Sequence, residues 1–331
     1  MKHWTAEEVG EVSNGFQASC VLLAAAELGV FDALARSDAT AEQLSERIGG
    51  DRRATGVLAD ALAAMGLLVK TADRYAPAPG AGEVLTESGP ASQLAMMRHR
   101  ANCLRSWAQL AAVVRSGRPA ERTPSVRGAE ADRAAFIEAM EAASRSAAPT
   151  LVAALGPGAF RHVLDVGGGP ATWTIALLRA CPDATATLYD LPATLPIARR
   201  HLVAARLAER VRLVAGDFHQ DASLPGGADL AWVGAIAHQH SREQNRELFA
   251  KVHAAMVPGG RLLLRDVVMA ASRTSPAGGA LFAVNMLVNT PGGGTFTFEE
   301  FSEDLVAAGF VNVRLLREDE YMNSVIEAGK P

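Results

Sequence analysis

One segment constrains this chain more than any other. Val163-Leu164-Asp165-Val166 is a short apolar run, Gly167-Gly168-Gly169 follows it directly, and Pro170-Ala171 leads into a helical stretch from Trp173 to Leu178. A strand that turns through glycines into a helix lets backbone N–H groups approach a ligand, because glycine has no Cβ in the way. Downstream the same strand-then-helix unit recurs. Strands are expected at Thr185 to Tyr189 (ending in Asp190), Val211 to Val214, Asp229 to Ile236, Leu262 to Met269, Val311 to Leu315 and Ser324 to Glu327. Helices are expected over 194–207, from the capping box Ser241-Arg242-Glu243-Gln244 to the stop at Pro258-Gly259-Gly260, and from Thr297-Phe298-Glu299-Glu300 to Gly309. Repeated β-then-α units specify an α/β fold with a doubly wound, mostly parallel seven-stranded sheet. Ligands then bind at the carboxyl ends of the strands.

Upstream of Gly156-Pro157-Gly158 the pattern is different, so the expected domains are 1–155 and 156–331. The first is mostly helical. Val9, Val12, Phe16, Cys20 and Leu23 recur at three and four, which predicts one apolar helix face. Thr40-Ala41-Glu42-Gln43 is a capping box, Gly49-Gly50 ends that helix, and Asp51 caps the next. Leu67-Leu68-Val69 and the segment around Tyr75 flank the turn Thr71-Ala72-Asp73-Arg74. Two short helices and a hairpin predict a winged-helix-like shape. One long helix is expected through Met96, Trp107 and Val114, and another from about Asp132 to Leu155.

Composition narrows the function. Charged residues are 21% of the 331, and the net charge is −4. That disfavours bulk binding to nucleic acid or an anionic membrane. In the winged segment only Arg52 and Arg53 are basic at the start of the second helix, too few for a helix that reads DNA bases. No run reaches 18 apolar residues, so no membrane span is expected. The polar start Met1 to Glu8 predicts no signal peptide. Cys20, Cys103 and Cys181 are far apart and lack metal spacing, which fits a reducing cytoplasm.

The glycine loop suits a nucleotide, and NAD is the first competitor. Its fingerprint wants glycine or alanine where Thr172 stands. Asp165, expected at the loop's mouth, would repel a pyrophosphate and suit a cationic ligand such as the sulfonium S-adenosylmethionine (SAM). Asp190, 23 residues after Gly167, can accept both ribose hydroxyls. Asp217, in Gly216-Asp217-Phe218, can accept from an adenine amine while Phe218 packs on the ring. Three acids at the ends of three successive strands make a nucleoside site.

With these residues in place, the chain resembles the class I SAM-dependent O-methyltransferases of the caffeate/hydroxyindole and bacterial antibiotic type. The resemblance rests on Asp165-Val166-Gly167-Gly168-Gly169, Tyr189-Asp190-Leu191-Pro192, Gly216-Asp217-Phe218, Val257-Pro258-Gly259-Gly260 and Ala307-Ala308-Gly309-Phe310. It implies a Rossmann-like SAM methyltransferase fold with an N-terminal helical, winged-helix-like domain that dimerises and covers the site. It implies a homodimer, a small-molecule acceptor, SAM as cofactor and S-adenosylhomocysteine (SAH) as product. It places Asp165, Gly167, Gly168, Gly169, Asp190, Leu191, Gly216, Asp217, Phe218, Gly234 and His240 around SAM. It gives His238 the place of a catalytic histidine and Asp266 that of a glutamate that orients it. A second family glutamate falls near Thr295 and is missing, and Gln239 replaces an acid. Trp107, Phe136, Met140, Asn285 and Met286 are the expected acceptor-lining residues.

The expected reaction is methyl transfer to a hydroxyl of a small aromatic secondary metabolite, with His238 as the base. Transfer to carbon, or another base-driven reaction on the same fold, is the alternative. A winged-helix regulator with a nucleoside sensor is a third reading. His238 and His240, two residues apart near Asp266, could also ligate a metal, but no metal is expected.

Overall fold

The computed structural model describes residues 2–156, 158 and 160–331, so Pro157 of the expected breakpoint lies outside the described residues. The chain forms two compact units, Met1–Arg105 with Arg122–Ala142, and Ser106–Glu121 with Ala143–Pro331. The expected boundary at 155/156 follows chain order, and the units do not. The reason is apolar burial: Ala148, Leu151 and Val152 on the helix Ala147–Leu155 join a core with Trp173, Leu177 and Val163 of the second unit.

The second unit is built on one seven-stranded sheet. Its strands are β1 (His162–Val166), β2 (Thr185–Asp190), β3 (Val211–Ala215), β4 (Ala228–Gly234), β5 (Met256–Asp266), β6 (Val311–Arg317) and β7 (Ser324–Gly329). Their order is β6-β7-β5-β4-β1-β2-β3. β7 runs antiparallel to both neighbours and the other pairs are parallel. The order reverses between β1 and β4, the place where such sheets open a ligand crevice. Strands covered on both faces read as unbroken apolar runs. Accordingly Leu164, Val166, Val233 and Leu264 pack on Phe249 and Phe301 on one face. Val163, Leu230, Trp232 and Leu263 pack on Leu177 and Leu202 on the other.

The first unit holds its own core of Phe31, Leu34, Leu44, Leu62 and Leu94. Its helices Ala41–Ile48 and Arg52–Ala64 are capped by Thr40 and Asp51, as their sequence demands. The hairpin Leu68–Thr71 with Arg74–Pro77 gains a third strand, Ala39–Thr40, alongside Arg74 and Tyr75. This is the winged-helix-like shape.

Several element boundaries differ from expectation. The first apolar face is split at Gly15, glycine being a poor helix former, into Ala6–Asn14 and Phe16–Leu28. Val9, Val12 and Phe16 are exposed. The helix through Trp107 stops there and resumes at Leu110, and at the break the Gln109 side chain pairs with the backbone N–H and C=O of Glu121. The helix expected from Asp132 to Leu155 is two, Ala129–Ser144 and Ala147–Leu155. Pro258-Gly259-Gly260 lies inside β5 rather than before it. β5 ends at Asp266, and the separate strand Val268–Met269 pairs with Phe296–Thr297.

Candidate functional site

The glycine loop and the end of β2 are tied together. Asp190 Oδ2 accepts the Gly169 N–H at 2.7 Å and its Oδ1 accepts the Leu191 N–H at 2.7 Å. Each carboxylate oxygen has two lone pairs, so acceptor capacity remains on Asp190. Burial raises its pKa above the usual carboxylate value. Leu191 itself is exposed. Side chains are excluded at two loop positions. A Cβ on Gly167 would lie 2.4 Å from Ile236 Cδ1, and one on Gly168 would lie 2.6 Å from Leu188 Cγ.

Asp165 is not at the loop's mouth. It is 1% exposed, and its Oδ2 accepts from the Thr174 hydroxyl. The cause is the strand's two-residue side-chain period, which turns Asp165 under the loop and toward the helix Thr172–Ala180. Burial pushes its pKa up to about 7, against the Thr174 hydrogen bond, with the Asp190 charge adding to the rise. Thr174 carried no signal in the sequence because a threonine inside a helix commonly bonds the carbonyl three or four residues back, and nothing local points to a carboxylate nine residues away.

Asp217 closes a turn after β3. Its Oδ1 accepts the His219 N–H at 2.9 Å and its Oδ2 the Gln220 side-chain N–H at 2.9 Å. Phe218 meets His240 edge-on at 5.3 Å, and His219 meets His240 at 4.6 Å. His240 is buried and its Nδ1 has no hydrogen-bond partner among the described residues. Burial first, then the neighbouring His219 and His238, lower its pKa to about 4, so the ring is neutral at pH 7. At Gly234 a Cβ would strike Trp232 Nε1 at 2.5 Å.

His238 sits on the short 3₁₀ turn Ala237–Gln239 between β4 and the helix Arg242–Ala255, which Ser241 caps. Its Nδ1 is 2.8 Å from Asp266 Oδ1, and its backbone N–H donates to Asp266 Oδ2 at 3.2 Å. Both side chains are buried. A carboxylate only accepts, so the ring places its proton on Nδ1 and leaves Nε2 with a free lone pair. Phe282 packs edge-on against the ring at 4.8 Å. It lies on the helix Ala277–Asn289, which the pair Gly278-Gly279 hid in the sequence; Gly279 is there because a Cβ would reach Met269 Sδ at 2.5 Å. Thr295 is buried, and its backbone carbonyl accepts from Arg273 at 2.7 Å.

Of the acceptor candidates, Trp107 and Asn285 meet within the second unit, Trp107 Nε1 donating to Asn285 Oδ1 at 2.9 Å. Met286 is buried on the same helix. Phe136 and Met140 belong to the first unit, where Phe136 meets His99 at 5.1 Å.

This arrangement can be set beside known proteins. An O-methyltransferase domain model matches residues 107–311, and an O-methyltransferase dimerisation domain model matches residues 11–87. The chain belongs to the O-methyltransferase family. The O-methyltransferase is 32% identical over 316 residues to the tetracenomycin polyketide synthesis 8-O-methyl transferase TcmO of Streptomyces glaucescens, covering 93% of this chain and 92% of the relative. It is 30% identical over 315 residues to the 3-hydroxy-5-methyl-1-naphthoate 3-O-methyltransferase of Streptomyces sahachiroi, covering 93% and 90%. Among solved structures, PigF with SAH superposes with a TM-score of 0.85 at 26% identity, covering 99% of this chain and all of that one. The O-methyltransferase therefore uses SAM and acts on small molecules, and the regulator reading gives way to an enzyme. No helix among the described residues is long and apolar enough to cross a membrane.

Proposed function

We propose that this O-methyltransferase methylates a hydroxyl of a small aromatic molecule, with His238 as general base and Asp266 as its orienting partner. The observation that carries the reading is the buried 2.8 Å contact between His238 Nδ1 and Asp266 Oδ1. It leaves Nε2 as the proton acceptor. A phenol with a pKa of about 10 is mostly protonated at neutral pH, and a positioned base typically contributes about 10²–10⁴-fold. Nε2 takes the hydroxyl proton as the oxygen forms its bond to the methyl carbon. Asp266 then stabilises the imidazolium. SAM, when bound, would supply the methyl group from its sulfonium and would leave as the neutral thioether SAH. The rest of the enzyme's work is positioning, worth up to about 7–11 kcal/mol.

The residues present fit SAM. Gly167, Gly168 and Gly169 would let the backbone close on it, Asp190 would keep a lone pair for a ribose hydroxyl beside its bonds from Gly169, Leu191 and Thr194, and Asp217, Phe218 and His240 would lie at the adenine end. The partnerless Nδ1 of His240 is the observation that favours a polar ligand there. Asp165 acts from below the loop, by tying β1 to the helix Thr172–Ala180 through Thr174. The aromatic acceptor draws support from the naphthoate and tetracenomycin named in the two relatives, and Trp107, Asn285 and Met286 are the residues of the second unit proposed to line it. The dimerisation-domain match, with exposed Val9, Val12 and Phe16, supports a homodimer.

The test is a methylation assay with SAM against hydroxylated naphthoates and anthraquinones, with aliphatic alcohols of equal size alongside, read by mass spectrometry. A gain of 14 mass units confined to the aromatic hydroxyls supports the proposal. Equal turnover of aliphatic alcohols overturns the aromatic assignment.

A further inference from the structure

Tyr189 precedes Asp190 on β2 and is 2% exposed. Its hydroxyl donates to Asp221 Oδ2 at 2.6 Å. The same carboxylate oxygen receives the Asp217 N–H at 3.3 Å. The N–H groups of Gln220 and Asp221 both return to the Asp217 carbonyl, at 2.8 and 2.7 Å. Residues 217–221 thus form one closed turn, pinned at its base by a side chain from the neighbouring strand. Two further ties hold it: Gly216 N–H to the Asp190 carbonyl at 3.0 Å, and Lys251 Nζ to the Phe218 carbonyl at 2.7 Å.

We infer that the Tyr189–Asp221 hydrogen bond is a positioning device for the adenine end of the cofactor, because it sets the turn that carries Asp217 and Phe218. The inference rests on the placement of adenine proposed above. Two observations make the pair more than ordinary packing. First, it explains Gly216. A Cβ there would lie 2.3 Å from both the Tyr189 hydroxyl and Asp221 Oδ2, so glycine is required by the pair itself. Second, consecutive residues on β2 serve the two ends of one ligand site: Asp190 holds the glycine loop, and Tyr189 holds the turn after β3. Burial and the adjacent Asp221 carboxylate keep the phenol protonated at neutral pH, so it stays a donor.

The experiment is calorimetric titration of the full chain with SAH and, separately, with adenosine. Tyr189→Phe keeps the ring and removes the donor. It is expected to weaken SAH and adenosine by the same factor, about tenfold, as for a hydrogen bond to a charged group. The KM for the acceptor at saturating SAM should not change. Asp221→Asn keeps an oxygen for the phenol and should restore most of the affinity that Asp221→Leu loses. Unchanged binding in Tyr189→Phe overturns the inference, and so does a loss seen with SAH but not with adenosine. If Tyr189→Phe does not fold, equal affinities of Asp221→Asn and Asp221→Leu overturn it. Phe218→Ala is the control for the placement. A loss there with none in Tyr189→Phe overturns the pair's role alone, whereas unchanged adenosine binding in Phe218→Ala overturns the placement and the inference with it.

Discussion

His238 and Asp266 are held by two contacts at once: ring nitrogen to carboxylate at 2.8 Å and backbone N–H to the other oxygen at 3.2 Å. Asp266 therefore fixes both the ring's tautomer and the turn that presents it. His238→Ala should lower kcat by about 10²–10⁴-fold and leave SAH affinity within a few-fold. Asp266→Asn should lower kcat too, because an amide N–H facing Nδ1 favours the wrong tautomer. Steady-state kinetics paired with SAH titration decides it, and a parallel loss of binding and turnover would sink the base assignment.

Asp165 makes stability depend on pH in a stated direction. Its folded pKa of about 7 stands above the unfolded value of about 3.9. The folded state then binds more protons across that window, so this group's contribution to stability falls as pH rises from about 4 to 7. Asp165→Asn keeps an oxygen for Thr174 and removes the titration. Relative to the parent, ligand-free Asp165→Asn should gain stability between pH 5 and pH 8 in urea melts. A constant difference across that range contradicts the assignment.

Gly168 has no room for a methyl group. Its Cβ would meet Leu188 at 2.6 Å and Asp165 Cγ at 2.9 Å, both in the buried sheet. Overpacking of this kind costs about 1–3 kcal/mol. Gly168→Ala should lose that much stability, and Gly294→Ala, with open space around its Cβ, should lose far less. Denaturant midpoints of the two variants settle the comparison.

Asp304, 2% exposed, accepts from Arg242 through both oxygens, at 2.8 and 3.0 Å, and from Arg246 at 2.6 Å. This clamps the helix following His238 to the helix Phe298–Ala307. Arg242→Ala strands a buried carboxylate on its less buried partner and should cost about 1–3 kcal/mol. Arg246→Ala, at a more exposed arginine, should cost less. The reverse order in urea denaturation would show that Arg246 carries the clamp.

Much of the candidate site's geometry was legible because it is written in local chemistry. Gly167 to Gly169, Asp190, Asp217 and His238 each follow a strand whose apolar run is plain, and the capping boxes at Thr40, Ser241 and Thr297 mark helix starts to the residue. The contacts that complete the site were not legible. Thr174 on Asp165, Phe282 on His238 and Tyr189 on Asp221 join residues whose partners lie 9, 44 and 32 positions away.

By itself the sequence determined the alternation of strands and helices, the seven strands and the polar residues near their ends, since side-chain period and glycine placement act over a few residues. Only the tertiary structure decided which way Asp165 faces, where helices break at Gly15 and Gln109, and which unit the helix Ala147–Leu155 joins. Those outcomes depend on which apolar surface is buried against which, and that is a property of elements brought together from distant parts of the chain.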